Sequence, residues 1–184
     1  MRYISIDPAT KSIAVAILDV NSKSLADISV VHTTTANLCG AKSNDGVDDI
    51  DRCKMITNFM KDIYSEWLIP DHTTTLIERQ ISGTPTYICY ISIINSALHH
   101  QANPTTIQPA LKNKLTIGEL KLSDFYKKTL NSYTANKEHS KAIFRYIRPK
   151  LTNPNNIKFQ AKHERDLADC FTQLIAHLGL VDEN

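Results

Sequence analysis

Apolar and β-branched residues alternate with turn-forming residues at the start of the chain. Residues 2–7 and 12–20 are predicted as strands, and the short connection Pro8-Ala9-Thr10-Lys11 suits a hairpin between them. A third strand is predicted over residues 28–34, followed by a loop over 36–44. The N-terminal part of the chain should therefore form an antiparallel meander.

Helical spacing of apolar positions begins after this meander, for example at Ile56, Met60 and Ile63. In chain order we predict a helix over 48–67, a strand over 73–78, a very apolar helix over 87–99, a short strand over 105–108, helical pattern over 118–150 with a break around 131–136, a turn over 153–156, and a last helix over 162–178 that Gly179 caps. This order predicts one α/β domain, residues 1–184, with a mixed five-stranded sheet flanked by helices.

The overall composition gives little information about function. The 184 residues carry a formal net charge of +2, but the second half of the chain is basic. Between positions 108 and 162, Glu119, Asp124 and Glu138 oppose a larger set of cations: Lys112, Lys114, Lys121, Lys127, Lys128, Lys137, Lys141, Arg145, Arg148, Lys150, Lys158 and Lys162. Such a stretch suits a polyanionic partner, although a solvated lysine-rich face is an equal alternative.

Cysteine spacing and hydropathy indicate where the chain folds. Cys39, Cys53, Cys89 and Cys170 show no CxxC spacing, which favours buried thiols over disulfides or zinc. The N-terminus enters a strand directly, and no apolar run approaches the roughly 18 residues of a membrane span. We expect a soluble intracellular protein, or one made inside a host cell.

Acidic side chains stand at three informative places. Asp7 closes the first predicted strand, Glu78 closes the fourth, and Asp166 and Asp169 lie three residues apart on the last helix. Strand-end carboxylates that face an acidic pair are what two hard divalent cations require. The pattern predicts a metal site that cleaves phosphodiester bonds.

Each of these acids also has an ordinary structural interpretation. Asp7 can open the turn at Pro8, Glu78 can form an ion pair with Arg79, and the helix acids can favour the positive end of the helix dipole. The three sites taken together are harder to explain in this way than any one of them.

Three sequence blocks resemble the RuvC-like Holliday junction resolvases of the RNase H superfamily. They are Ile4-Ser5-Ile6-Asp7-Pro8-Ala9-Thr10, Leu76-Ile77-Glu78-Arg79-Gln80 and Asp166-Leu167-Ala168-Asp169. The second block and the chain length look most like the poxvirus-type resolvases of large DNA viruses. If the chain is viral, the resemblance places it where viral DNA replicates in the host cell. The family usually has Gly where this chain has Ala9, so a positive φ there would strain the turn.

The resemblance implies a catalytic mechanism and a set of residues. Asp7, Glu78, Asp166 and Asp169 would bind two Mg²⁺ ions, with Mn²⁺ as a substitute, and Asp7 would bridge the ions about 3.5–4 Å apart. The products would carry 5′-phosphate and 3′-hydroxyl ends. Lys137 or Lys141 would steady the scissile phosphate, and Lys141 is included in the catalytic set. His177 would pack rather than react.

The implied partner is branched DNA, above all a four-way junction, bound by a homodimer because the junction offers two symmetry-related strands. The helix over 87–94 is a candidate dimer face, or simply a buried helix. Residues expected to contact DNA are Lys11, Arg79, Lys112, Lys114, Lys137, Lys141 and Arg145.

Three other functions compete with this interpretation. The first is another nuclease of the superfamily, acting on RNA–DNA hybrids or on RNA. The second, an actin-like ATPase, fits poorly because five glycines and 184 residues supply neither a second phosphate loop nor a second domain. The third is a DNA-binding module that has lost its metals, which the presence of all four carboxylates disfavours.

Overall fold

The computed structural model describes residues 1–38, 47–127 and 131–180. Cys39, Lys128 and most of the predicted loop over 36–44 lie outside these ranges. The elements in chain order are β1 (Arg2–Pro8), β2 (Ser12–Val20), β3 (Ile28–Asn37), α1 (Asp49–Trp67), β4 (Thr73–Glu78), α2 (Pro85–His99), β5 (Pro104–Ile107), α3 (Pro109–Asn113), β6 (Thr116–Ile117), β7 (Leu120–Lys121), α4 (Leu122–Tyr126), α5 (Ser132–Ile147) and α6 (Glu164–Leu178).

A mixed sheet of five strands, in the order β3-β2-β1-β4-β5, forms the centre of the molecule. Strands β1, β2 and β3 are antiparallel neighbours, whereas β1–β4 and β4–β5 are parallel pairs. The register pairs Ile6 with Ile77, so Asp7 and Glu78 follow at neighbouring carboxyl ends. The predicted sheet and its antiparallel meander are therefore confirmed.

Helices cover both faces of this sheet. Alternate residues of β1 separate the two sides, because side chains along a strand point to opposite faces. Ile4 and Ile6 pack in the core beneath α1 and α2, whereas Tyr3 packs toward α5 and α6. Asp7 is two residues beyond Ser5, which bonds to α6, so the α6 face receives its carboxylate.

Helix α6 is fixed to the sheet by two buried hydrogen bonds. The Ser5 hydroxyl donates to the Cys170 carbonyl at 2.8 Å, and the Cys170 thiol donates to the Ala14 carbonyl at 3.3 Å. Leu167, Phe171 and Leu174 fill the core on the same side of the sheet. This anchoring sets the height of Asp166 and Asp169 above the ends of β1 and β4.

The segment between β5 and α6 differs most from the prediction. The break expected around 131–136 is instead the start of α5, where the Asn131 side chain accepts a hydrogen bond from the Thr134 amide at 2.8 Å. Asparagine favours helix N-caps as well as turns, so the same residue type signals both. Helix α4 falls within the helical pattern predicted over 118–150, whereas the five-residue helix α3 and the β6–β7 hairpin were not predicted.

Two smaller expectations are also settled by the fold. Ala9 is not among the residues with positive φ in the described ranges, so the replacement of glycine there causes no backbone strain. Cys53, Cys89 and Cys170 are free thiols; Cys89 and Cys170 are buried, as predicted, whereas Cys53 is partly exposed. Among the described helices, none combines the length and apolar character needed to cross a bilayer.

Candidate active site

All four predicted carboxylates line one cavity of about 270 Å³ at the carboxyl ends of β1 and β4. Asp7 comes from β1, Glu78 from β4, and Asp166 and Asp169 from α6. Asp7 and Asp169 are 5% and 2% exposed. Glu78 and Asp166 are half-buried at the cavity wall. The structure therefore brings together, around a single space, the residues that the sequence pattern selected.

Two lysine side chains lie among these carboxylates. The Lys112 ammonium is 2.6 Å from Glu78 Oε2 and 3.2 Å from Asp169 Oδ1. The Lys137 ammonium donates to Asp169 Oδ2 and lies 3.7 Å from Asp7 Oδ2. Asp169 is thus paired on both oxygens, each time with a cation that also reaches a second carboxylate.

The position of each lysine follows from the element that carries it. Residue Ile107 of β5 pairs with Glu78, and Pro109 opens α3 two residues later, so Lys112 is brought beside Glu78. On α5, Lys137 and Ser140 are three residues apart and share one face of the helix. Ser140 lines the cavity together with Asp169 and helps to lower the pKa of that carboxyl.

Burial and charge act differently on the two inner aspartates. Burial raises the pKa of Asp7 well above its usual range, Lys137 opposes this, and the neighbouring Asp169 and Glu78 charges add to it. Burial would also raise the pKa of Asp169, but Lys112 and Lys137 outweigh it and hold the pKa below its usual value. The charge on Asp7 is therefore the one that the site compensates least.

Further polar groups, which sequence reasoning missed, support these acids. Gln173, fully buried on α6, donates from Nε2 to Glu78 Oε2 at 3.3 Å. The Ser12 hydroxyl donates to Asp166 Oδ2 at 3.2 Å, and His163 Nδ1 lies 3.7 Å from the same oxygen. Gln173 follows Asp169 by four residues and therefore lies on the same face of α6, which was the available signal for it.

The donor set suits a hard divalent cation, because it consists of carboxylate oxygens around a common cavity. In the present arrangement, however, no three Asp, Glu, His or Cys side chains of the described residues are grouped closely enough to enclose an ion. The two ammonium groups supply the positive charge between the carboxylates instead. Metal binding would therefore require at least one lysine to move aside.

Two of the predicted lysines, Lys141 and Lys112, lie in surroundings that differ from those expected. Lys141, included in the predicted catalytic set, lies 3.7 Å from both Glu138 and Glu164 and does not line the cavity. Lys137, its alternative one turn earlier on α5, does. Lys112, expected to contact DNA, is only 7% exposed because two carboxylates enclose its ammonium.

The other cations predicted to contact DNA lie outside the cavity. Lys11, Arg79 and Lys114 are exposed. Arg79 lines a neighbouring groove of about 610 Å³, and Gln80 and Pro109 line both this groove and the cavity. Arg145 donates two hydrogen bonds to Glu164, at 2.7 and 2.8 Å.

Away from the cavity, the ring of His177 packs edge-on against Tyr3, with the ring centres 5.8 Å apart, which agrees with a packing role.

Comparison of the sequence with protein-family models gives no match, and comparison with curated proteins gives none either. Solved structures do match. The fowlpox virus Holliday junction resolvase has a TM-score of 0.64 and 14% identity, with 97% of this chain and 99% of that chain covered. RuvC of Thermus thermophilus has a TM-score of 0.62 and 13% identity, with 98% of each chain covered. The fold is that of the RuvC-type Holliday junction resolvases.

A third structure with the resolvase fold, the yeast mitochondrial Holliday junction resolvase, has a TM-score of 0.56 and 12% identity over 96% of this chain and 78% of that chain. The RNase H-like architecture predicted from the sequence is therefore confirmed. The similarity extends over nearly the whole chain, so the α3–α5 segment, which carries both lysines, belongs to the resolvase fold rather than to an added domain.

Proposed function

We propose that the chain is a metal-dependent endonuclease that resolves four-way DNA junctions by paired symmetric nicks. The observation that carries the proposal is the convergence of Asp7, Glu78, Asp166 and Asp169 on one cavity within a resolvase fold. Two further structures with this fold, one of Thermus thermophilus RuvC and one of the fowlpox virus resolvase, are complexes with Holliday junction DNA. They support branched DNA as the substrate.

The four carboxylates would hold two Mg²⁺ ions, or Mn²⁺ in their place. Bound metal would activate the attacking water and stabilise the leaving 3′ oxygen, giving 5′-phosphate and 3′-hydroxyl ends. Glu78 is kept in orientation by Gln173 and Lys112, and Asp166 by Ser12. A Lys112 ammonium at the cavity wall would also attract the scissile phosphate.

Substrate approach is favoured by the charges around the cavity. Arg79 and Lys114, which are exposed, are proposed to contact phosphates without reading sequence. The groove beside Arg79 adjoins the cavity through Gln80 and Pro109, so Arg79 lies close to a DNA strand that enters the cavity.

A homodimer remains part of the proposal, because two symmetric nicks require two active sites. Helix α2 buries Cys89, Tyr90 and Ile93 against the core, whereas Tyr87 and Ile94 are only partly buried along the groove. This outer side of α2 is our candidate contact between two copies. Light scattering on the purified chain measures whether a dimer forms, and Ile94→Glu should then reduce dimer formation.

The decisive experiment compares a four-way junction, an RNA–DNA hybrid and single-stranded RNA as substrates, each with Mg²⁺ and with a chelator. We expect paired nicks on the junction with Mg²⁺ alone. Asp7→Asn and Asp166→Asn should abolish nicking and leave junction binding intact. Cleavage of the hybrid or of RNA in preference to the junction would favour another nuclease of this superfamily. Nicking by Asp7→Asn at the wild-type rate would refute the metal assignment.

A further inference from the structure

The two lysines at the cavity differ in how tightly the structure holds them. The side chain of Lys112 is 8% exposed and comes from the short helix α3 between two carboxylates. The Lys137 side chain is 20% exposed and extends from the long helix α5. Its ammonium lies 6.0 Å from the centre of the Tyr133 ring, and Tyr133, which lines the cavity, is 70% exposed. Lys137 can therefore swing toward solvent without opening a void in the core.

Lys137 also bridges the pair of carboxylates that needs a counter-charge most. It donates to Asp169 and, among the residues that the structure describes, is the cation nearest to Asp7, at 3.7 Å. Asp7 and Asp169 are almost fully buried, so their mutual repulsion is poorly screened by solvent. Lys137 supplies a positive charge between them.

A divalent ion bound between Asp7 and Asp169 would need the same space and the same oxygens. We infer that Lys137 is an internal competitor of the metal ion: it stabilises the metal-free site, leaves Asp169 when the ion binds, and so weakens the affinity of the protein for metal. Lys112 stays in place, because it pairs with Oε2 of Glu78 and leaves Oε1 of that carboxylate for the ion. This inference rests on the proposed function for the identity of the metal ligands.

The first test is calorimetric titration of Mn²⁺ into the full chain, without DNA. Lys137→Met should bind Mn²⁺ about tenfold more tightly than the wild type, since each 1.4 kcal/mol of lost competition gives a factor of ten. Lys141→Met is the matched control, because Lys141 is one turn further along α5 and contacts Glu138 and Glu164 outside the cavity. Its affinity for Mn²⁺ should equal that of the wild type.

The second test is thermal unfolding with a chelator and with saturating Mn²⁺. Lys137→Met should lower the unfolding temperature in the chelator, and Mn²⁺ should raise it by more than in the wild type. Lys137→Gln, which keeps a polar side chain of similar length, repeats both measurements if the methionine variant does not fold. Equal or weaker binding of Mn²⁺ by the folded variant overturns the inference, as does the absence of binding to both proteins.

Junction cleavage separates this inference from the function on which it rests. Tighter Mn²⁺ binding by Lys137→Met in a protein that nicks no junction supports the competitor role and rejects the resolvase activity. Paired nicking by a wild type whose Mn²⁺ affinity does not change on mutation of Lys137 supports the activity and rejects the competitor role.

Discussion

The Lys112 ammonium lies 2.6 Å from the Glu78 carboxylate, and both side chains are largely enclosed, at 8% and 13% exposure. The contact joins residues 34 positions apart, one on a five-residue helix and one at a strand end. Because Lys112 also reaches Asp169, it links the β4 and α6 sides of the cavity. Burial alone would lower the pKa of Lys112, but Asp169 and Glu78 outweigh it and raise the pKa, so the ammonium stays charged.

Removal of the Lys112 charge should destabilise the protein strongly. Lys112→Met leaves Glu78 and Asp169 with one cation fewer in a buried site, and breaking such a pair costs about 3–5 kcal/mol. Urea unfolding in a chelator measures the change in free energy. The control is Lys114→Met, two residues away and exposed, which should change it by less than about 0.5 kcal/mol. Similar losses in the two variants would mean that the Lys112 contacts contribute little.

Asp7 and Asp169 should influence the stability of the metal-free protein in opposite directions. The folded pKa of Asp7 is raised, so the folded state holds its proton more tightly than the unfolded state does, and ionisation costs stability as the pH rises from about 4 through that pKa. Asp7→Asn should therefore match the wild type near pH 4 and gain stability over it at higher pH. Urea unfolding in a chelator, from pH 4 to pH 8, gives the two curves.

Asp169 supplies the contrasting case in the same measurement. Its folded pKa is lowered, so its contribution is present above about pH 4 and is lost as the pH falls through the folded value. Asp169→Asn should be less stable than the wild type at pH 7, and the difference should shrink toward low pH. If Asp169→Asn were the stabilised variant and Asp7→Asn the weakened one, the assignment of charges in the site would be reversed.

Particular residues show how far the sequence could predict this site. The alternation of side chains along β1 and β4 places Asp7 and Glu78 on one face of the sheet, and the helical periodicity of α6 brings Asp169 over that face. The acidic residues could therefore be predicted from local sequence patterns. Lys112 and Lys137 were predicted to act on DNA, but their pairing with these acids was not predicted, because Lys112 reaches Glu78 across 34 residues and Lys137 reaches Asp169 across 32. No periodicity encodes contacts of that separation. The choice between Lys137 and Lys141, one turn apart on α5, depended on how α5 packs against α6.

Gln173 should matter more for catalysis than its neutral side chain suggests. It donates to Glu78 Oε2 at 3.3 Å, and the Ser5 hydroxyl donates to its Oε1 at 3.4 Å. Gln173→Leu leaves these buried groups with one partner fewer, at a cost of about 1–3 kcal/mol, and releases one restraint on Glu78. We expect slower junction cleavage with unchanged junction binding. Thr172→Val is the control, since the Thr172 hydroxyl bonds only to backbone carbonyls of its own helix, those of Ala168 and Asp169. Equal cleavage rates in the two variants would show that Gln173 has no part in orienting Glu78.

Arg79 and Arg145 should differ in their contribution to DNA binding, although both are exposed arginines near the site. Arg145 is already engaged by Glu164 through two hydrogen bonds, whereas Arg79 lines the groove that adjoins the cavity. Binding of a four-way junction, measured by fluorescence anisotropy in a chelator at several salt concentrations, should weaken in Arg79→Ala. The slope of log affinity against log salt should become shallower by about 0.9, the value for one lost phosphate contact.

Arg145→Ala is the matched comparison and should change the slope by less, because Glu164 competes with the phosphate for the guanidinium. A larger change in Arg145→Ala would move the path of the DNA from the Arg79 groove to the outer face of α5.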